Sequence, residues 1–328
     1  MTEQKRILSG MRPTGKLHLG NLHGALKNWI EMQDRYDCFF FIADWHALTT
    51  GYEETGTIRD FSREVMIDWL GAGLSPEKNT LFVQSHVKEH AELFLLLSMI
   101  TPVPWLERNP TYKDQMIQMA NKDLSTFGFL GYPVLQAADI IIYKANGVPV
   151  GMDQVPHVEI TREIARRFNH LYGHVFPEPE ALLTKTSKVL GWDRRKMSKS
   201  YQNAIYLSDD PDTVLDKASR FITDPDRKRR ADPGNPDVCN VFDFHKMYSP
   251  PALVHEVNEQ CRTAGIGCVE CKKKMGERLA AFLAPIRERR THLESHPEQV
   301  AEIMVAGGAK AREVARETLE EVRAAIGI

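Results

Sequence analysis

Only five cysteines occur in 328 residues, and long apolar runs are missing. The longest, CFFFIA and LFLLLSMI, are far too short to span a bilayer. The opening MTEQKRILSG lacks the charged-then-apolar layout of a secretory signal. The expectation is a cytoplasmic chain with no membrane partner. In that reducing setting a disulfide framework is not expected, and clustered thiols read first as metal ligands or redox groups. Charge of one sign is also lacking: the net value of −2 carries no global mark of a nucleic-acid partner, although DRKRR (Asp226–Arg230) and Lys272–Lys274 are locally basic. No internal repeat or low-complexity tract is visible. With 42% hydrophobic and 26% charged residues, the chain has room for one large core or two ordinary ones.

What is present in the first half is an alternation of short apolar runs with amphipathic stretches, the order of βαβ units. RIL leads through a Gly/Pro/Thr turn to a helix with Leu22, Ala25, Leu26 and Trp29 on one face. CFFFIAD reads as a buried strand, and Ile58, Phe61, Val65 and Trp69 mark the next helix. TLFVQS (80–85) is the following strand and AELFLLLSMI the helix after it. YPVLQAADIIIY then reads as a helix with Pro133 in its first turn, GVPVGMDQ as a strand ending in a polar loop, and VEITREIARRFN as another helix. This predicts an α/β fold, a Rossmann-like doubly wound parallel sheet. A mostly helical smaller domain follows. The boundary falls near Asn203 and Ala204, giving 1–203 and 204–328, with the terminal helix able to pack back on the sheet.

Ligands in such a sheet sit beyond the carboxyl ends of the strands. The first such loop, SGMRPTGKLHLGN (Ser9–Asn21), places glycines where backbone amides and a helix start can meet phosphate. It matches neither the Walker nor the GxGxxG pattern. Alone it is as well explained by turn chemistry. Its partner is RRKMSKSYQN (Arg194–Asn203), a polar loop with Lys196 and Lys199. Together PTGKLHLGN and KMSKS resemble the paired signatures of class I aminoacyl-tRNA synthetases. His18, Leu19, Gly20 and Asn21 stand for the first, and Asn21 departs from its usual final histidine in the way tryptophan enzymes do.

The resemblance implies attack of an amino-acid carboxylate on the α-phosphate of ATP. The nucleophile is already ionised, so catalysis rests on positioning and on stabilising charge moving onto pyrophosphate. It implies Lys196, Lys199, His18 and Thr14 as the catalytic set, with Mg2+ sharing the load. Met11, Arg12, Pro13, Thr14, Gly20 and Asn21 join the ATP site by the same resemblance. So do Gly151, Met152 and Asp153 of the ribose loop, Val189, and the loop Lys196, Met197, Ser198, Lys199 and Ser200.

Tyr132, Gln136 and Asp139 share one helix face, which suits tyrosine and tryptophan enzymes alike. In the tyrosine enzymes a second tyrosine stands two residues before Gly10. Here that residue is Leu8, which suits an indole face. Asp139 would then accept the indole N–H, a donor-only group. His46, Val148, Val150 and Gln154 complete the tryptophan set. The chain thus resembles bacterial tryptophanyl-tRNA synthetases almost throughout, which implies L-tryptophan, ATP and tRNA(Trp) as partners, a homodimer, and anticodon binding by the helical domain. The alternatives are a tyrosyl enzyme, or an adenylyltransferase or redox-sensing nucleotide-binding protein that uses no tRNA. Gln136 departs from the methionine of many relatives.

Four thiols remain: Cys239, then 21 residues, Cys261, then six, Cys268, then two, Cys271. They can close a metal site, with Gly265 and Gly267 allowing close approach and Lys272–Lys274 favouring thiolates. Sulfur ligands suit zinc and iron–sulfur equally, and His245 or His255 could complete a zinc site. The spacing resembles a subgroup of tryptophanyl enzymes with a 4Fe-4S cluster, which is the expected occupant, with structural Zn2+ as the alternative. Cys38 reads as ordinary core.

Overall fold

The computed structural model describes residues 4–118, 123–184 and 188–328. Five strands, β1 (Arg6–Met11), β2 (Asp37–Ile42), β3 (Asn79–Val83), β4 (Gly147–Val150) and β5 (Glu180–Leu183), form one parallel sheet in the order β3-β2-β1-β4-β5. Cys38 to Ile42 are all buried, as a strand covered on both faces requires. The doubly wound expectation is met. β5 was not expected: EALL is short and half-exposed and has no apolar run to announce it.

Two helical assignments and one strand assignment need correction. The stretch after the first loop is not one regular helix, because a π-turn (Leu22–Leu26) lies between Leu19–Asn21 and Lys27–Met32. TLFVQS ends as a strand at Val83, and Gln84–His86 is a 3-10 turn. The helix read from Tyr132 begins at Phe127, where the Thr126 hydroxyl caps the Phe129 amide at 3.2 Å. Pro133 is therefore interior, and its missing N–H leaves the local ladder one bond short.

Two long helices, Cys268–Ser295 and Pro297–Ile326, end the chain. The first packs on the Pro211–Ser219, Asn240–Tyr248 and Ile58–Ala72 helices, and the second lies against β3 and the Glu89–Ser98 helix. Gly307 sits directly on the Leu81 backbone, where any side chain would collide. One core joins Ile7, Phe40 and Trp69 to Val241, Leu279 and Val300, so apolar packing runs continuously across the 203/204 position.

Candidate active site

The two signature loops are tied together by backbone. Leu19 N–H donates to Ile205 C=O at 3.0 Å and Leu207 N–H to Leu17 C=O at 2.9 Å, with His18 opposite Tyr206. The second loop is braced by Asn203, whose Oδ1 accepts the Ser198 amide at 2.8 Å and whose Nδ2 donates to Asp193 at 2.7 Å. Gly191 carries no side chain because the Asn203 side chain fills that space. The first loop is held from behind: Asp68 accepts the Leu17 amide at 2.7 Å, and its other oxygen pairs with the buried Arg290. Burial pushes the Asp68 carboxyl up to about 6 against the pull of Arg290.

Lys199 Nζ donates to Thr14 C=O at 2.9 Å and lies 3.3 Å from Thr14 Oγ1. Gly15, at φ +101°, makes the turn beneath it. Burial first lowers the Lys199 ammonium to about 8. His18 is pushed down to about 4 by burial and then by Lys199 and Lys196, so it is neutral. Its ring covers Gly20, whose added Cβ would stand 2.8 Å from Cε1. His18 Nδ1 is buried without a protein partner, while Asn21 Oδ1 accepts the His18 amide at 3.1 Å.

Beside these loops, at the carboxyl ends of β1 and β4, lies a cavity of about 410 Å³. Leu8, His46, Tyr132, Gln136, Asp139, Val148, Val150 and Gln154 all line it, as do Met11, Arg12 and Gly151. Pro13, Thr14, Gly20, Asn21, Val189 and the Lys196–Ser200 loop lie outside that lining. Met152 and Asp153 do as well, and Met152 is 71% exposed.

Asp139 is completely enclosed. Its oxygens take the Gln84 amide at 2.8 and 3.0 Å, His46 Nε2 at 2.7 Å and His90 Nδ1 at 2.5 Å, while His90 Nε2 meets the Tyr143 hydroxyl at 2.6 Å. Burial would raise this carboxyl, but the His46 and His90 contacts outweigh it and hold it below the usual range. Gln84, His90, Asp68, Asn203, Asn109 and His157 escaped sequence reading. For His157, three positions after Gln154 in DQVPH, a signal existed.

The thiols converge as a group. Arg227 Nη1 lies 4.0 Å from Cys261 Sγ and 3.8 Å from Cys268 Sγ. Burial pushes up the Cys239 and Cys261 thiols, and Cys271 to about 12, with the neighbouring cysteines adding to the rise. The lysines expected to favour thiolates point elsewhere: Lys272 donates to Ser219 C=O and Lys274 to Glu256. The nearby cation is Arg227. Gly234, not Gly265 or Gly267, leaves room for sulfur, since its Cβ would stand 2.7 Å from Cys261 Sγ. His245 Nε2 lies 3.5 Å from Cys271 Sγ, whereas His255 is exposed and faces Glu259. Among the described residues, no group of three or more His, Cys, Asp or Glu is arranged to hold a metal ion. Cys38 is buried in β2.

Residues 1–284 match the family model of tRNA synthetases class I (W and Y). A tryptophan–tRNA ligase of Thermotoga maritima is 53% identical, the match covering 98% of this chain and 99% of that one. One of Aquifex aeolicus is 47% identical, covering 98% and 100%. The crystal structure of tryptophanyl-tRNA synthetase from Campylobacter jejuni, complexed with ADP and tryptophan, superposes with a TM-score of 0.92 at 34% identity, covering 98% of this chain and all of that one. No helix among the described residues is long and apolar enough to cross a membrane. By its family model and its near full-length likeness to these ligases, the chain belongs to the tryptophanyl branch of the class I tRNA synthetases.

Proposed function

We propose that this tryptophan–tRNA ligase forms tryptophanyl-adenylate in the cavity between β1 and β4 and then passes the tryptophan to tRNA(Trp). The carrying observation is that all eight side chains read as the tryptophan set line one cavity. Leu8, Val148 and Val150 offer the indole apolar walls. Asp139 is already ionised, but His46 stands on its Oδ2, so an indole N–H reaches that oxygen by taking the place of His46. A phenol would gain no tyrosine partner at Leu8. Lys199 and Lys196, with Mg2+ arriving on ATP, oppose charge building on the leaving pyrophosphate. His18 is neutral and its unpartnered Nδ1 is available to ATP. Tryptophan-dependent exchange of pyrophosphate into ATP tests the reading, and equal exchange with tyrosine would overturn it.

The four cysteines suit a 4Fe-4S cluster. The thiols crowd within electrostatic reach of one another, Gly234 leaves space at Cys261, and Arg227 offers positive charge to two sulfurs. Cys239, Cys261, Cys268 and Cys271 would hold the cluster, which supplies iron–sulfur bonds as a clasp for the 204–328 anticodon-binding region. Metal and sulfide content of anaerobically purified protein decides this: about four irons and four sulfides per chain support it, and one zinc without sulfide overturns it. Leu95, Met99 and Phe127, exposed on neighbouring helices, support assembly with a second copy, which sedimentation at micromolar protein would detect as a dimer.

A further inference from the structure

Behind the first signature loop, one helix face carries two of the loop's supports. In the Ile58–Ala72 helix, Phe61, Val65 and Asp68 recur at i, i+4 and i+7. Phe61 faces Gly15, whose added Cβ would stand 3.6 Å from the ring and 3.6 Å from Lys199 Nζ. Two turns further along, the completely buried Asp68 takes the Leu17 amide on Oδ2 at 2.7 Å. The turn from Thr14 to Leu17 is thus seated on this helix at both ends, and Lys199 leans on the same turn through the Thr14 C=O at 2.9 Å. The other Asp68 oxygen meets Arg290 Nη1, while Arg290 Nη2 reaches Glu64 at 3.1 Å and Glu294 at 2.7 Å. One guanidinium serves three carboxylates, so the group as a whole stays negative. Arg290 is brought here by a close helix contact: a Cβ on Gly71 would stand 2.8 Å from Arg290 Cγ, and Arg289 Nε donates to the Gly71 C=O at 2.7 Å.

We propose that Asp68 is a positioning residue for adenylate formation, a buried carboxylate that seats the Thr14–Leu17 turn and supplies the fixed counter-charge for the Lys199 ammonium resting on that turn. The proposal rests on reading Lys199 as a cation that opposes charge on the leaving pyrophosphate. Around Asp68 the charged groups are Glu64 on its own helix, Arg290 and Glu294 on the Cys268–Ser295 helix, and Lys199 on the second signature loop. Beside Lys199 stand the neutral His18 and, acting on the same ring, Lys196. The charge of Asp68 works against the burial that lowers the Lys199 ammonium. The Asp68 carboxyl, pushed up to about 6, is ionised over the range in which Lys199, at about 8, gives up its proton. With no exposed surface on Asp68, solvent ions screen that charge little.

Tryptophan-dependent exchange of pyrophosphate into ATP, followed as pH rises through about 8, tests this. The unaltered enzyme should show a descending limb there, and Lys199→Arg should abolish it. Asp68→Asn removes the carboxylate charge and should bring the limb to a pH lower by about half a unit or more. Its deficit against the unaltered enzyme then widens as pH rises and narrows as pH falls. Glu64 and Glu294 still pair with Arg290 in this variant. Should it fail to fold because the new amide meets the Arg290 donors, Asp68→Asn combined with Arg290→Lys keeps the cation, drops the second fork of donors, and should give the same displacement. A purely structural Asp68 predicts a deficit of equal size at every pH. A limb left in place or moved to higher pH when Asp68 is neutralised overturns the proposal. A limb that survives Lys199→Arg overturns instead the reading of Lys199 beneath it, so the two failures are told apart by which substitution leaves the limb unmoved.

Discussion

The amino-acid cavity and the signature loops hold their charges in opposite ways. Asp139 is sealed behind Gln84, His46 and His90, with no exposed surface. Lys199 instead leans on a backbone carbonyl of the facing loop. The first arrangement fixes a carboxylate through side chains that have no other acceptor of equal strength. The second leaves a cation held by one backbone acceptor and a longer hydroxyl contact. On the roles proposed above, the difference separates recognition, where a fixed shape and charge discriminate, from transfer, where charge shifts during the reaction and the stabilising group must meet it.

That contrast can be broken most severely at Asp139. Asp139→Ala should orphan the two buried donors Gln84 and His90 and the partly exposed His46, and cost about 3–5 kcal/mol of stability, read as a lower urea midpoint at unchanged slope. A midpoint equal to the parent's would mean the wall is not load-sharing as described. On the loop side, Lys199→Met should reduce pyrophosphate exchange on the order of 10²–10³-fold while the melting temperature stays within about 2 °C. A fall in both would erase the distinction. The lowered Lys199 group gives a pH test. Its cation is complete below about 8 and is lost as pH rises through that value, so exchange should decline there. Lys199→Arg, cationic throughout, should lack that limb. The smallest effect belongs to Thr14→Ala. Lys199 meets the Thr14 carbonyl at 2.9 Å and the hydroxyl at only 3.3 Å, so exchange should drop by less than about tenfold.

Legibility in the sequence follows the range of the forces involved. β2 announces itself through a long apolar run and β1, β3 and β4 through short ones (IL, LFV and VPV), and both signatures are contiguous words. β5 has neither property. Pro133 misled because the capping threonine stands seven residues ahead of it, beyond the apolar period. At the thiols, the neighbouring lysines in sequence turned outward to Ser219 and Glu256, while Arg227, 34 positions from Cys261, faces the sulfur. The partners of Asp139 come from 49 to 93 positions away. Such pairings are set by which buried groups remain unsatisfied after folding, and no local pattern carries that information.

The Asp68–Arg290 contact spans 222 positions, and this bears on the order in which the chain becomes active during synthesis. Every signature residue has left the ribosome long before residue 290 is made. Until then Asp68 has no Arg290 to pair with. The seat of Leu17, and with it the loop carrying His18 and Gly20, is therefore completed late. The Leu81 face of β3 is covered later still, when the segment containing Gly307 arrives. At roughly 5–20 residues per second, the nascent chain passes through a stage in which the words of the active site are all present and the site is not yet locked. A nearly finished polypeptide therefore carries both signature loops without the Arg290 contact that braces Asp68 behind Leu17.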